Sequence, residues 1–259
     1  MKKILLLLLI AGTTFPSFSQ QQKLWSAVTE EPAANKLSPG NFKPEKYKVF
    51  NLNTTLLATL LEKVPAENSN IATQQNVTIS VPDHNGETED FQITEISLME
   101  EALARMHPEI RTFIGKSIQH PGSVIHITTG PDGFHGMVLS ANKPTFYINP
   151  SDEANGNHIF FSRDEAGKMQ PFQCKSPEPT AVTSQNRSGN TANRSADDGL
   201  LRTYRLALAC TGEYAQYFLN GTETSDAQRK SKVLSNMINL LTRINGIFER
   251  DFGIRLILV

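Results

Sequence analysis

The sequence predicts an α+β domain built on an antiparallel sheet, followed by a βαβ unit of the α/β class. Residues 46–174 contain several runs that alternate apolar and polar side chains, with short helical signals between them. In residues 200–259 a long amphipathic helical pattern lies between two short apolar runs. A polar stretch at 175–199 separates these two regions, so we expect a domain boundary there.

The first elements of the α+β region follow from local patterns. Alternation from Tyr47 to Leu52 predicts a strand, and Asn53 or Thr54 can cap the short leucine-rich helix that follows. Two further alternating segments flank Asn85-Gly86, a pair that tolerates the positive φ of a tight hairpin turn. We therefore expect a strand, a helix and a hairpin in this order.

The second half of this region repeats the pattern. Ser97 with Glu100 three residues later is a capping-box spacing, which predicts a helix that weakens near Pro108. A second hairpin is expected around Gly130-Pro131-Asp132-Gly133, and the run from His158 adds a last strand. Together these elements predict a compact α+β domain over 46–174.

The last region begins with a short apolar run. Tyr204, Leu206, Leu208 and Cys210 share one face of it, so we expect a buried strand with Cys210 in the core. The segment "GEYAQYF" then predicts a short helix.

A long helix and a second strand follow. Ser225 with Gln228 forms a capping box, apolar residues recur every three or four positions, and Gly253 suits the C-terminal cap. The run "IRLILV" predicts a second buried strand, parallel to the first. A two-stranded βαβ unit cannot cover both faces of its sheet, so we expect residues 200–259 to be the first part of a larger domain.

The N-terminus predicts export. Residues 1–19 begin with two lysines, continue into an apolar run and reach small residues at Ser17 and Ser19, the pattern of a cleaved signal peptide. The apolar run is far shorter than the roughly 20 residues of a spanning helix. We expect a secreted, extracellular chain that does not enter a membrane, with residues 20–45 as a mobile leader.

Composition argues against nucleic acid as a partner. The formal net charge is −1, and no polybasic tract is present. Such a chain has no electrostatic attraction to nucleic acid or to anionic lipid.

The separating stretch 175–199 predicts a flexible linker. It has almost no large apolar side chains and cannot bury enough surface to offset its ordering entropy. Arg187 and Arg194 lie within it and Arg202 just after it, so these three arginines are candidates for cleavage by a processing protease.

The region from 202 to 259 resembles the opening of a reprolysin-like (adamalysin-type) zinc metalloprotease domain of the metzincin group. The matching residues are Val233, Asn236, Ile238, Asn239, Ile244, Asn245, Ile247 and Phe248 in the helix, then Ile254, Leu256 and Leu258 in the strand. The layout upstream resembles secreted bacterial precursors of this family. The resemblance implies zinc as cofactor and protein or peptide substrates. It also implies that residues 46–174 are a pro-domain that assists folding and keeps its own catalytic domain latent.

The zinc-binding motif of that family, HExxHxxGxxH, is not in this sequence. None of the six histidines lies in an HExxH; they are His84, His107, His120, His126, His135 and His158. We therefore expect neither catalytic residues nor zinc ligands of this motif in the chain, and no proteolysis by it alone. His126 and His135 lie on neighbouring predicted strands, but no third ligand has a metal spacing, so a different metal site is not expected.

Cys174 has three interpretations. The resemblance implies a thiolate that occupies the open position of the catalytic zinc, although the residues around Cys174 do not match the usual PKxCG pattern. A Cys174–Cys210 disulfide is the alternative, because the compartment is oxidising. A free thiol, or a partner beyond Val259, is the third.

The sequence therefore favours the N-terminal portion of a secreted zinc metalloendopeptidase precursor. The alternative is a non-enzymatic secreted protein for ligand binding or adhesion.

Overall fold

The computed structural model describes residues 23–29, 44–67, 69, 76–83, 86–152, 156–167 and 199–259. The expected signal peptide, most of the leader and the expected linker up to residue 198 lie outside these residues. Within the described ranges, none of the helices has the length and apolar character needed to cross a membrane.

Nine strands form one antiparallel sheet in the N-terminal part, and two strands pair in parallel in the C-terminal part. The elements are β1 (Trp25–Ala27), β2 (Lys48–Leu52), α1 (Thr54–Leu61), β3 (Val77–Pro82), β4 (Thr88–Ile96), α2 (Glu101–Met106), β5 (Arg111–Ser117), β6 (Val124–Gly130), β7 (Gly133–Leu139), β8 (Phe146–Asp152), β9 (Asn157–Ser162), β10 (Arg202–Leu206), α3 (Gly212–Phe218), α4 (Asp226–Phe252) and β11 (Ile254–Leu258).

The large sheet has the strand order β1-β2-β9-β8-β7-β6-β5-β4-β3. It is curved, so that its edge strands β1 and β3 approach each other. Both predicted hairpins are confirmed: β3 pairs with β4, and β6 pairs with β7 across Gly130 and Gly133.

The predicted α+β class of this region is wrong, because the region is mostly β. Its two α-helices have only eight and six residues. The capping box at Ser97 does not form: the Ser97 hydroxyl donates to the Met99 carbonyl at 2.7 Å, and α2 starts four residues later without a side-chain cap. Helices this short have little stability of their own, whereas each alternating run gains both ladder hydrogen bonds and a buried face.

The concave face of the sheet holds the main core. Phe91, Phe113 and Phe160 are fully buried there, and Trp25 packs edge-on against Phe160. Helix α1 covers this core with its leucines, and its N-cap is the predicted Asn53, which accepts from Leu56 N–H at 2.9 Å.

The C-terminal unit has the predicted order and the predicted parallel pairing. Arg202 of β10 lies beside Ile254 of β11, and α4 runs for 27 residues between the capping Ser225 and Gly253. Gly253 adopts φ 62°, the left-handed conformation in which glycine is favoured. Strand β10 is shorter than predicted and ends at Leu206, and it is mostly exposed, so the expectation of a buried strand is wrong. The expectation of a core Cys210 is also wrong, because Cys210 is exposed in the following loop.

Helix α4 packs against the convex face of the large sheet, over β6 and β7. A second apolar cluster lies at one end of this contact. It joins Ile96, Leu98, Met99 and Ile110 of the N-terminal part to Ile238, Leu241 and Leu258 of the C-terminal part.

Candidate functional site: the interface between helix α4 and the sheet

Small side chains let α4 approach the sheet closely. Ser231, Ser235, Thr242 and Gly246 all lie buried along the helix. A Cβ added at Gly246 would lie 2.6 Å from Met137 Cε and 3.0 Å from a ring carbon of the His126 side chain. Only a residue without a side chain therefore fits at this point of the present packing.

A chain of hydroxyl groups crosses the middle of the interface. Thr128 Oγ1 of β6 lies 2.8 Å from Thr242 Oγ1 of α4, to which it donates. The Thr242 hydroxyl in turn donates to the Ile238 carbonyl one helical turn earlier, also at 2.8 Å. Both threonines are buried, so these hydrogen bonds are shielded from water and fix the helix relative to β6.

Asp132, in the turn between β6 and β7, links this hairpin to α4. Its Oδ1 accepts a hydrogen bond from the Ser235 hydroxyl, and its Oδ2 lies 2.8 Å from His135 Nε2. Burial by itself raises the pKa of Asp132, but the charge of His135 and the hydrogen bonds from His135 and Ser235 outweigh it and lower that pKa. The carboxylate is therefore held in its charged form.

This arrangement does not activate a nucleophile. In a hydrolytic triad the imidazole accepts the serine proton, whereas here the Ser235 hydroxyl donates to the carboxylate and not to His135. Ser235 is also fully buried and cannot reach a substrate. The geometry supports a structural link between α4 and the β6–β7 turn.

Arg243 of α4 contacts the neighbouring strand β8. It donates to Asn149 Oδ1 at 2.5 Å, and its guanidinium carbon lies 5.2 Å from the centre of the Tyr147 ring. Burial lowers the pKa of Arg243, and its Nε is buried without a hydrogen-bond partner among the described residues. This contact therefore carries a desolvation cost that a carboxylate partner would reduce.

Arg255 of β11 joins α4 to the segment that follows α1. Its Nε donates to Glu249 Oε1 of α4 at 2.7 Å, and its Nη1 donates to Glu67 Oε2 at 2.6 Å. Burial lowers the pKa of Arg255, but its hydrogen bonds and charge attraction to the two glutamates dominate and raise it. The same positive charge adds to burial in lowering the pKa of His126 to about 4.

The two histidines considered as a metal pair share a face without forming a site. His126 lies opposite Met137 and His135 lies opposite Thr128 in the β6–β7 register, so the two rings are diagonal neighbours. Across the ranges that the structure describes, no group of three or more His, Cys, Asp or Glu side chains could hold a metal ion. These residues therefore do not fit a zinc ion.

The other histidines lie apart. His107 Nδ1 is 3.3 Å from Glu109, His120 Nδ1 is 3.2 Å from Glu89, and His84 is outside the described residues. His158 lies on the concave face against Trp25, where burial lowers its pKa to about 4.

Most of the predicted latency and processing residues lie outside the described residues: Cys174, Arg187 and Arg194. Of the others, Cys210 is exposed, and Arg202 begins β10, where its N–H donates to the Gly253 carbonyl at 2.8 Å. The switch, the disulfide and the processing sites thus stay predictions.

Sequence reasoning missed the residues that build this interface. The sequence pattern predicts Asp132 only as part of a turn, and it assigns no role to Ser235 or Thr242. A row of small polar residues at helical spacing was the available signal, but it does not indicate which strand lies opposite.

Comparison with known proteins gives one match. Residues 201–259 match the model of the metallopeptidase family M12B, reprolysin-like. This segment contains β10, α3, α4 and β11, and the match supports a reprolysin-like relationship for it. None of the curated proteins and none of the solved structures compared with the chain matches it.

Proposed function

We propose that the chain is the N-terminal portion of a secreted zinc metalloendopeptidase precursor, in which residues 46–174 act as a pro-domain on the peptidase segment that starts near residue 200. The family match to residues 201–259 supports the peptidase relationship and, with it, protein or peptide substrates. The observation that carries the pro-domain role is the packing of α4, which belongs to the matched segment, on the convex face of the sheet.

This packing supports a role of the N-terminal sheet in the folding of the peptidase segment. The α4 face that meets the sheet combines apolar residues such as Ile238 and Leu241 with small and polar groups, whose partners in this structure are Asp132, Thr128 and the ring of His126. Separated from the sheet, the same face would be exposed along a helix of 27 residues. The N-terminal sheet thus gives α4 a buried and hydrogen-bonded position.

The residues that bind zinc would lie outside this sequence. The chain contains no HExxH, so we propose that the HExxHxxGxxH motif follows Val259 in the complete precursor. When bound there, zinc would polarise the scissile carbonyl and activate a water. The role of this chain is to position α4. If Cys174 is a latency ligand, the chain also supplies its thiol to the zinc.

One experiment tests the proposal in two steps. The coding sequence after Val259 should contain HExxHxxGxxH, and the complete precursor should gain chelator-sensitive proteolysis after a cut within 175–199. Purified residues 20–259 should show none. A complete gene without this motif, or chelator-sensitive casein cleavage by residues 20–259 after repurification, would contradict the proposal; a gene without the motif would favour the non-enzymatic binding protein.

Cys174 has its own test in the complete precursor. As a latency ligand, Cys174→Ala should raise activity before any processing, because the fourth zinc position would return to water. Peptide mapping that finds a Cys174–Cys210 bridge would exclude the switch.

A further inference from the structure

The outer edge of β11, which faces away from β10, is paired with the N-terminal part of the chain. Leu258 N–H donates to the Leu98 carbonyl at 2.9 Å, and the Leu258 carbonyl accepts from Glu100 N–H at 2.8 Å. Met99 and Leu258 thereby form a parallel bridge. The segment Leu98–Glu100 thus extends the two-stranded sheet by one short strand, although it comes from the other part of the chain.

The side chain of Asn245 pairs with the same edge two residues earlier, at Leu256. Asn245 Nδ2 donates to the Leu256 carbonyl at 2.8 Å, and Asn245 Oδ1 accepts from Leu256 N–H at 2.8 Å. The amide therefore replaces a neighbouring strand at Leu256. Because Asn245 occupies Leu256, the added segment pairs with this edge at Leu258 and not at Leu256.

The added segment has a defined chemistry. Leu98 and Met99 are buried in the apolar cluster with Ile238 and Leu258. Glu100, by contrast, is at the surface, where its Oε2 lies 3.2 Å from Arg205 Nη2 of β10. The edge therefore accepts two apolar residues followed by an acidic one, in extended conformation and parallel to β11.

We propose that the outer edge of β11 is a strand-docking site for an extended segment of apolar, apolar and acidic residues, and that Leu98–Glu100 occupies it. This pairing adds to the contacts of α4 and Arg255 in holding the two parts of the chain together without the covalent connection between residues 167 and 199. The inference rests on backbone pairing and not on the proposed peptidase function, so either can fail without the other.

The test uses the full chain, cut at one engineered position. A recognition sequence for a site-specific protease is placed between Arg187 and Arg194, the purified protein is cleaved, and the dissociation constant of the two pieces is measured by surface plasmon resonance. We expect the wild-type pieces to stay associated after cleavage.

Two proline substitutions separate the strand pairing from other effects. Glu100 has φ −60°, which suits proline, so Glu100→Pro deletes the N–H donor to Leu258 without backbone strain at that residue. Loss of this hydrogen bond, about 1 kcal/mol, corresponds to roughly a fivefold rise in the dissociation constant, and loss of the ion pair with Arg205 adds to it. Glu101→Pro is the matched control, because residue 101 is the first helical position, where proline is tolerated and the N–H has no helical partner.

Charge variants test the acidic position at the surface, where folding is not at risk. Glu100→Gln keeps the N–H and removes the charge, so it should weaken association less than Glu100→Pro. Arg205→Glu should weaken it a few-fold, and combining it with Glu100→Arg should restore the wild-type value.

Three outcomes would overturn the proposal: separation of the wild-type pieces on cleavage, equal effects of the two proline variants, or no restoration by the charge exchange. Circular dichroism of each uncut variant checks that it is folded. If Glu100→Pro does not fold, the charge exchange alone decides.

Discussion

Acid should destabilise this fold through two buried histidines. His126 lies at the interface, where its ring meets α4 at Gly246. The charged groups near it are Arg255 of β11, with Glu249 and Arg250, which line the same cavity from α4. Its neighbours in the strand register, Ile114 and Met137, carry no charge. His158 is buried on the opposite face of the sheet against Trp25.

The expected loss of folding stability follows from the pKa shifts of the two histidines. Burial, then the charge of Arg255, lowers the pKa of His126 from 6.5 to about 4, and burial does the same for His158. Above pH 6.5 both folded and unfolded chains hold neutral imidazoles, so the full stability is present. Between pH 6.5 and 4 the unfolded chain binds protons that the folded chain does not, and stability falls as the pH falls. At 1.36 kcal/mol per pKa unit the loss is roughly 3 kcal/mol for each histidine, complete near pH 4.

The assay is urea unfolding of the purified chain at several values between pH 7.5 and 4. Glutamine is neutral throughout this range, so His126→Gln and His158→Gln should each remove about half of the pH dependence, and the double variant most of it. His120→Gln is the control, because that side chain is 58% exposed, and it should follow the wild-type curve. The reasoning is refuted if His126→Gln shows the full wild-type loss between pH 6.5 and 4.

Two further predictions concern the interface and the expected linker. Gly130→Ala should destabilise the chain by about 1–3 kcal/mol in urea unfolding, because the new Cβ would overlap the Ser235 hydroxyl and displace it. Gly212→Ala meets no atom within 4 Å and should change stability little; equal effects would show that close packing at Gly130 is not the cause. Limited trypsin, followed by mass spectrometry, should cut first at residues 187 and 194 and later at 202, whose N–H is bonded in β10. First cuts inside 46–167 would contradict the expected boundary.

Local patterns were sufficient where a signal and its partner lie close in sequence. The turn from Gly130 to Gly133 correctly predicted the β6–β7 hairpin, because the residues that bend the chain are the ones that set the register. The capping Ser225 and the terminal Gly253 likewise predicted the ends of α4. The segment that became β5 was not predicted as a strand; it lies between β4 and β6 and gains its stability from both neighbours.

Some local sequence patterns were outweighed by contacts with residues that are distant in the chain. The capping-box spacing at Ser97 is typical of a helix start. The next three residues instead form a short strand that pairs with Leu258, about 160 positions later in the chain. The run expected to place Cys210 in a buried strand ends at Leu206, since β11 pairs only as far as Leu258.

Neighbouring residues are enough to specify the alternation that makes strands, the helical repeat of α4 and the reprolysin-like motif in the last 59 residues. The single curved β sheet of the first region, and the packing of α4 on its convex face, depend on contacts between distant residues. The contacts that decide this, such as Asp132 with Ser235, join positions 103 residues apart. No pattern within either segment encodes such a pair, because its free energy appears only when both surfaces are buried together.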